Sequence, residues 1–316
     1  MKIIRGLKKP TPFAKTGCVA TMGKFDGVHR GHQMLISRVQ EIAQKKNLPT
    51  LVILFEPYPQ EFFHPNEVLA RLTRLREKLI YLRELKVDYV LIVQFDAAFA
   101  CLSAQAFVEN LMVGSLGIRH FVVGDDFRFG AKQQGDFGLL KKLAKPYHFE
   151  AERLPALFYE GHRVSSSSIR HALAKSDMAL AKQLLGRTYS LHGRVGHGQK
   201  LGRQLGFPTA NIFLHRKKSP VLGIYAVQMH VGDEVFNGVA NIGSRPAVQG
   251  TYVLLEVYLF DFNQDIYGRY VQVDILHKLR DEAYYDSLDA LKAQIQEDVT
   301  QTKQYFLSLT HENDKL

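Results

Sequence analysis

Hydrophobic positions fall into two regimes along the chain. In the first half, short apolar runs at residues 18–20, 50–55, 89–93 and 120–123 are apolar on both faces, as buried parallel strands are. Between them, Leu35, Ile36, Val39, Ile42 and Ala43 mark one face of a helix, and residues 73–85, 104–112 and 135–144 read as further helical segments. This alternation predicts a doubly wound parallel sheet that binds ligand at the carboxyl ends of its strands. From about Gly186 the pattern changes: residues 190–195, 223–231, 235–241, 251–260 and 270–277 are strand-like and separated by turn residues. That predicts an antiparallel sheet or small barrel. Leu288, Leu291, Ile295, Val299 and Phe306 then mark a closing amphipathic helix. The expected domains are 1–185 and 186–316, with residues 176–185 as a helical lead-out.

The 316 residues suit two domains, and 46% hydrophobic with 23% charged residues is a globular composition. A net charge of +10 favours anionic ligands. A nucleic-acid partner is not expected, because tryptophan is absent and the phenylalanines fall in core-like patterns. The two cysteines, Cys18 and Cys101, form no Cys-x-x-Cys motif, which fits a reducing cytoplasm. No apolar run approaches membrane-spanning length, so a soluble chain without a membrane partner is expected. Its oligomeric state stays open, a monomer being one reading.

Five stretches could carry chemistry. Gly23-Lys24-Phe25-Asp26-Gly27-Val28-His29-Arg30-Gly31-His32 joins the first buried strand to the first helix. Its glycines allow close backbone approach, the helix start suits phosphate, and His29 and His32, three apart, face the same way. The His-x-Gly-His pattern suggests adenylyl transfer, in which positioning and charge neutralisation do most of the work. Gly124-Asp125-Asp126-Phe127-Arg128-Phe129-Gly130 follows another strand and reads either as a lip of that site or as an acidic turn anchored by phenylalanines. Arg163 to Arg170 surrounds four serines at a helix start, suited to nucleotide phosphates or to simple N-capping. Gly193 to Asn211 is a second glycine-rich stretch, either a phosphate flap charged by Lys200 and Arg203 or a long hairpin loop. Within it Thr209 and Asn211 share one strand face and offer hard oxygens suited to Mg2+. Glu256 is a carboxylate in an apolar strand, either a general base or an outward-facing position.

Together these motifs resemble the bacterial bifunctional riboflavin kinase/FMN adenylyltransferase family. The resemblance also rests on Arg71-Leu72-Thr73, Gly206 to Asn211, Gly223 to Val227, Gly238 to Pro246 and Leu255-Glu256-Val257. It implies a nucleotidyltransferase domain followed by a six-stranded antiparallel riboflavin kinase-like barrel. In the first, His29 and His32 would be catalytic; Gly23, Phe25, Asp26, Gly27, Arg163, Ser166, Ser167 and Arg170 would bind ATP, with Asp126 and Phe127 near the flavin. In the second, Gly196, Gly198, Lys200, Gly202 and Pro208 would bind ATP, Thr209 and Asn211 would hold Mg2+, and Glu256 would be the base. Riboflavin, FMN and ATP are the implied small-molecule partners, with FMN and FAD as products. An adenylyltransferase with a nicotinate- or pantetheine-type acceptor is the alternative within enzymes.

Overall fold

The computed structural model describes residues 1–7, 11–198, 201–247 and 250–313. The chain forms two compact units, residues 1–69 with 73–166 and residues 70–72 with 167–316.

The first unit is built on a six-stranded sheet in the order β1-β4-β3-β2-β5-β6. Its strands are β1 (Lys2–Arg5), β2 (Cys18–Met22), β3 (Thr50–Glu56), β4 (Tyr89–Gln94), β5 (Ile118–Val123) and β6 (Glu150–Arg153). Every pairing is parallel. Alternate residues enter two cores, which is why these runs are apolar throughout. Cys18, Ala20, Leu51, Ile53, Leu91 and Phe121 face one side with Phe107 and Leu111, whereas Val19, Val52, Val90 and Val122 face the helix bearing Ile36 and Val39. Burial pushes the Cys18 thiol up, well above its ordinary range. After β2 the sheet grows in one direction through β3 and β4, and then β5 adds on the other side of β2. The topological switch therefore lies between β2 and β5, where ligands bind in open α/β sheets.

Two edge strands, β1 and β6, were not apparent in the hydrophobic pattern. The segment expected to be an ordinary helix over 104–112 is instead a short helical turn, Ala104–Ala106, running into a π-helix, Phe107–Ser115. Phe107, Val108, Leu111 and Met112 are all buried, so packing against the sheet sets the local winding there. A two-residue hairpin, β7 (Phe158–Tyr159) and β8 (His162–Arg163), precedes the helix Ser166–Ala174.

The second unit is a closed barrel in the order β10-β13-β12-β11-β14-β9. Its strands are β9 (Ser190–Gly196), β10 (Thr209–Phe213), β11 (Gly223–Val231), β12 (Glu234–Ala247), β13 (Gly250–Leu259) and β14 (Tyr270–Arg280). All pairings are antiparallel. Five of the six strands follow from the pattern; β10 is the addition. The helix Leu288–Asn313 packs Ile295 and Val299 beside Phe207, Ile224 and Val239. Arg280 at the end of β14 donates Nε and Nη2 to the Asp298 carboxylate at 2.8 and 2.7 Å, joining helix to barrel. Asp298 is buried, and its bonds raise the Arg280 pKa. No helix among the described residues is long and apolar enough to cross a membrane.

Candidate active sites

The Gly23–His32 turn leaves the carboxyl end of β2 beside the switch point. Gly27 has φ +87°, a left-handed conformation that glycine adopts without steric cost. Phe25 and Val28 are also left-handed, at φ 47° and 42°, and both side chains are buried. Core packing therefore holds a backbone path that is unfavourable for residues bearing a Cβ. His29 is the N-cap of the helix Arg30–Lys46, and its Nδ1 accepts from the His32 amide at 3.4 Å. In a neutral imidazole that bond leaves the proton on Nε2, the far side of the ring. The His29 and His32 rings stack with centroids 3.6 Å apart, and Phe25 lies 4.7 Å from His32. The two imidazoles thus form one plate at the N-terminal, positive end of a 17-residue helix.

The Gly124–Gly130 loop leaves β5 on the other side of the switch. Asp126 is exposed, and Phe127 stacks on Phe129 at 5.5 Å. Arg163 donates Nη2 to both oxygens of Asp125, at 2.8 and 2.9 Å, joining the loop to the segment before the serine run. Ser166 donates its hydroxyl to the Asp26 carbonyl at 2.8 Å, so it buttresses the glycine-rich turn. Ser167 is exposed on the helix that follows, and Arg170 of that helix donates Nε to the Ala70 carbonyl at 2.9 Å; both belong to the second unit. Gly23, His29, His32, Asp126, Phe127 and Arg163 lie in the first unit.

Between the barrel wall and the helix Leu288–Asn313 is a cavity of about 360 Å³, lined among others by Gly202, Thr209, Asn241, Arg245, Glu256 and Ile295. Asn211 and Asn241 flank Glu256 at the same register, on β10 and β12. Glu256 alternates with the buried Val253, Leu255 and Val257, so it stands on the outward face of β13, where its side chain lines this cavity and is 30% exposed. Arg245 bridges Glu256 at 3.3 Å and Glu282 at 3.1 Å. Burial opposes the Arg245 charge, but these two carboxylates outweigh it and raise its pKa. Asn211 is buried under Gly198, where a Cβ would stand 2.5 Å from the Asn211 amide atoms. Only glycine permits that approach. A Cβ on Gly196, at the end of β9, would overlap Phe213, and one on Gly202 would overlap the Phe207 carbonyl, so these glycines too permit close approach. Pro208 is exposed beside Thr209. Lys200 lies outside the described residues.

The oxygens here fit a hard cation bound mainly through a nucleotide. Thr209 offers a hydroxyl and Asn211 an amide oxygen, and the buried Asn241 Oδ1 has no hydrogen-bond partner among the described residues. No cluster of three His, Cys, Asp or Glu exists among the described residues to form an all-protein cage. Mg2+ ordinarily keeps waters and phosphate oxygens and needs few protein ligands.

Several participants were not apparent from sequence. Lys78, Tyr58 and Thr73 pack beneath the glycine-rich turn, and Arg245 and Glu282 surround Glu256. Thr73 and Arg245 stood in motifs already noted, whereas Lys78 stood only in the helical segment expected over 73–85.

A histidine plate at the switch of a parallel sheet, followed by a barrel whose outer wall presents a carboxylate to a cavity, defines a two-domain nucleotide-dependent transferase. The family model for FAD synthetase matches residues 12–168, and that for riboflavin kinase matches residues 185–306. The bifunctional riboflavin kinase/FMN adenylyltransferase of Escherichia coli (strain K12) is 50% identical over 97% of this chain and 98% of its own. That of Haemophilus influenzae is 46% identical over 98% of this chain and all (100%) of its own. A crystal structure described as a macrolide-efflux protein from Streptococcus pneumoniae superposes with a TM-score of 0.80 at 30% identity, covering 94% of this chain and 97% of that one. The chain belongs to the bifunctional riboflavin kinase/FMN adenylyltransferase family.

Proposed function

We infer that this chain makes FAD in two steps, each at its own site: riboflavin and ATP give FMN and ADP, and FMN and a second ATP give FAD and pyrophosphate. The first step belongs to the barrel and the second to the parallel-sheet unit, with the functional boundary drawn between residues 185 and 186. The start of the riboflavin kinase match at residue 185 supports that boundary.

In the barrel, Glu256 accepts the proton of the ribityl 5′-hydroxyl as its oxygen attacks the γ-phosphorus of ATP. Arg245 holds one carboxylate oxygen, Oε2, and so orients the base. Gly196, Gly198, Lys200, Gly202 and Pro208 are assigned to this ATP. Thr209 and Asn211 would hold Mg2+, which when bound neutralises charge on the transferring phosphoryl group. At the other site a phosphate oxygen of FMN attacks the α-phosphorus of ATP and pyrophosphate leaves. His29 and His32 donate to phosphate oxygens whose charge grows in the transition state, supported by the helix dipole. Gly23, Phe25, Asp26 and Gly27 form the turn that receives the nucleotide, Arg163, Ser166, Ser167 and Arg170 are assigned to its triphosphate, and Asp126 and Phe127 to the flavin. A cytoplasmic location belongs to the same reading, supported by two cysteines that are unpaired, Cys18 buried and Cys101 exposed.

The observation that carries this reading is the presence on one chain of the stacked His29–His32 pair at a helix start and of Glu256 in the cavity between barrel and C-terminal helix. Purified chain incubated with ATP, Mg2+ and either riboflavin or FMN tests it. FMN followed by FAD is expected from riboflavin, and FAD alone from FMN; failure to form either product refutes it.

A further inference from the structure

Lys78 lies on the helix Leu75–Glu84 and is fully buried, at 0% exposure. A lysine is rarely enclosed without a specific partner, because its ammonium loses hydration. Here Nζ donates to the Lys24 carbonyl at 2.6 Å and to the Tyr58 hydroxyl at 3.0 Å, and it sits 4.6 Å from the Tyr58 ring centre. The Tyr58 hydroxyl donates onward to Asp26 Oδ1 at 3.3 Å. Asp26 and Tyr58 are also buried, and the same carboxylate oxygen accepts the Thr73 amide at 3.0 Å. Thr73 Oγ1 in turn accepts the Gly27 amide at 2.8 Å.

The network thus grips the turn at Lys24, Asp26 and Gly27, on both sides of Phe25 and just before Val28, the two non-glycine residues held in left-handed backbone. It lies on the side of the turn away from solvent and links the Lys78 ammonium to the Asp26 carboxylate through the Tyr58 phenol. A buried hub of this kind fixes a single backbone path, since any slip leaves a charged group unpaired in a dry interior.

We propose that Lys78 is a positioning residue for adenylyl transfer: by holding the Lys24 carbonyl and, through Tyr58, the Asp26 carboxylate, it keeps the Gly23–His29 turn in the conformation that presents His29 and His32 to ATP. The proposal rests on the reading that the first unit adenylylates FMN. Its effect is on the geometry of the reacting complex, where a displacement of about 1 Å costs on the order of 100-fold in rate.

The test uses the full chain and the variants Lys78→Met and Tyr58→Phe, assayed well below their melting transitions. Lys78→Met is expected to lower kcat for FMN adenylylation by at least about tenfold while KM for ATP changes less than about threefold. Riboflavin phosphorylation by the same preparation is expected to stay unchanged. A purely structural role would lower the fraction of active molecules and move neither constant once rates are normalised to ATP-binding stoichiometry; that result overturns the proposal. Equal loss of both activities, or FAD formation within about twofold of wild type, also overturns it. Should Lys78→Met fail to fold, Tyr58→Phe decides: it breaks the link to Asp26 but keeps the Lys24 contact, and an unchanged kcat refutes the proposal. Wild-type chain that makes no FAD at all would sink the adenylyltransferase reading itself, a result distinct from these.

Discussion

Glu256→Gln separates chemistry from stability in the barrel. Gln has the shape of Glu but cannot take up the hydroxyl proton. A positioned general base typically contributes roughly 100- to 10,000-fold, equivalent to about 3–5 kcal/mol of barrier. The structural cost is far smaller. The Glu256–Arg245 pair is 3.3 Å long with side chains 30% and 35% exposed, and Arg245 keeps its 3.1 Å contact with Glu282 when Glu256 loses its charge. Half-exposed pairs of this kind are worth about 0.2–1 kcal/mol. For a unit of this size that lowers Tm by no more than about 4 °C. Single-turnover conversion of riboflavin to FMN, followed by chromatography, should therefore fall by two orders of magnitude or more. Calorimetry should show a nearly unchanged melt, and the same preparation should convert FMN to FAD at the wild-type rate. FMN formation within about tenfold of wild type would refute the assignment of Glu256 as base.

Three further outcomes follow. His32→Ala should lower FAD formation by roughly 100- to 1,000-fold, the effect of removing one donor to a developing oxyanion, and leave riboflavin phosphorylation intact; loss of both in a folded protein would contradict separate sites. Gly198→Ala places a Cβ 2.5 Å from the Asn211 amide atoms; displacing them should cost on the order of 100-fold in FMN formation, and a rate equal to wild type would show that Asn211 needs no fixed position. Burial lowers the His120 pKa below its usual 6.5, outweighing Glu150 and Glu152, so the unfolded chain binds that proton more tightly. Stability of the first unit is therefore full above pH 6.5 and declines as pH falls through the lower folded-state value. Glu150, held down by Lys46, and Glu152, held down by Arg38, add a further loss below pH 4.5. Melting curves between about pH 7.5 and about pH 5.5 should show a steeper decline for wild type than for His120→Gln; equal slopes would exclude this histidine as the cause.

The fold was legible where burial dictates composition. β2 to β5 are enclosed on both faces, so their sequences are continuous apolar runs. The edges are different: Lys2-Ile3-Ile4-Arg5 and Glu150-Ala151-Glu152-Arg153 carry no such pattern, because an edge strand is defined by its single neighbour. β10 escaped because its alternate positions Thr209 and Asn211 are polar, which breaks the apolar run. The His29–His32 plate could be anticipated from spacing on one helical turn. The Lys78 hub could not, since a lysine on an amphipathic helix reads as solvated until the turn it supports is in place. Likewise, Glu256 had two readings, and only the cavity under the C-terminal helix shows that an outward-facing strand position can still line a site.

The order of the strands also bears on self-association. An unpaired strand edge is a template on which another chain can add, a route to aggregation and swapped dimers. The barrel offers none, since each strand has a neighbour on both sides. The open sheet ends at β1 and β6, each four residues long and carrying Lys2 and Arg5 or Glu150, Glu152 and Arg153. Short margins that carry charged residues make poor templates, so the strands that escaped the apolar pattern also guard the sheet against edge-to-edge growth.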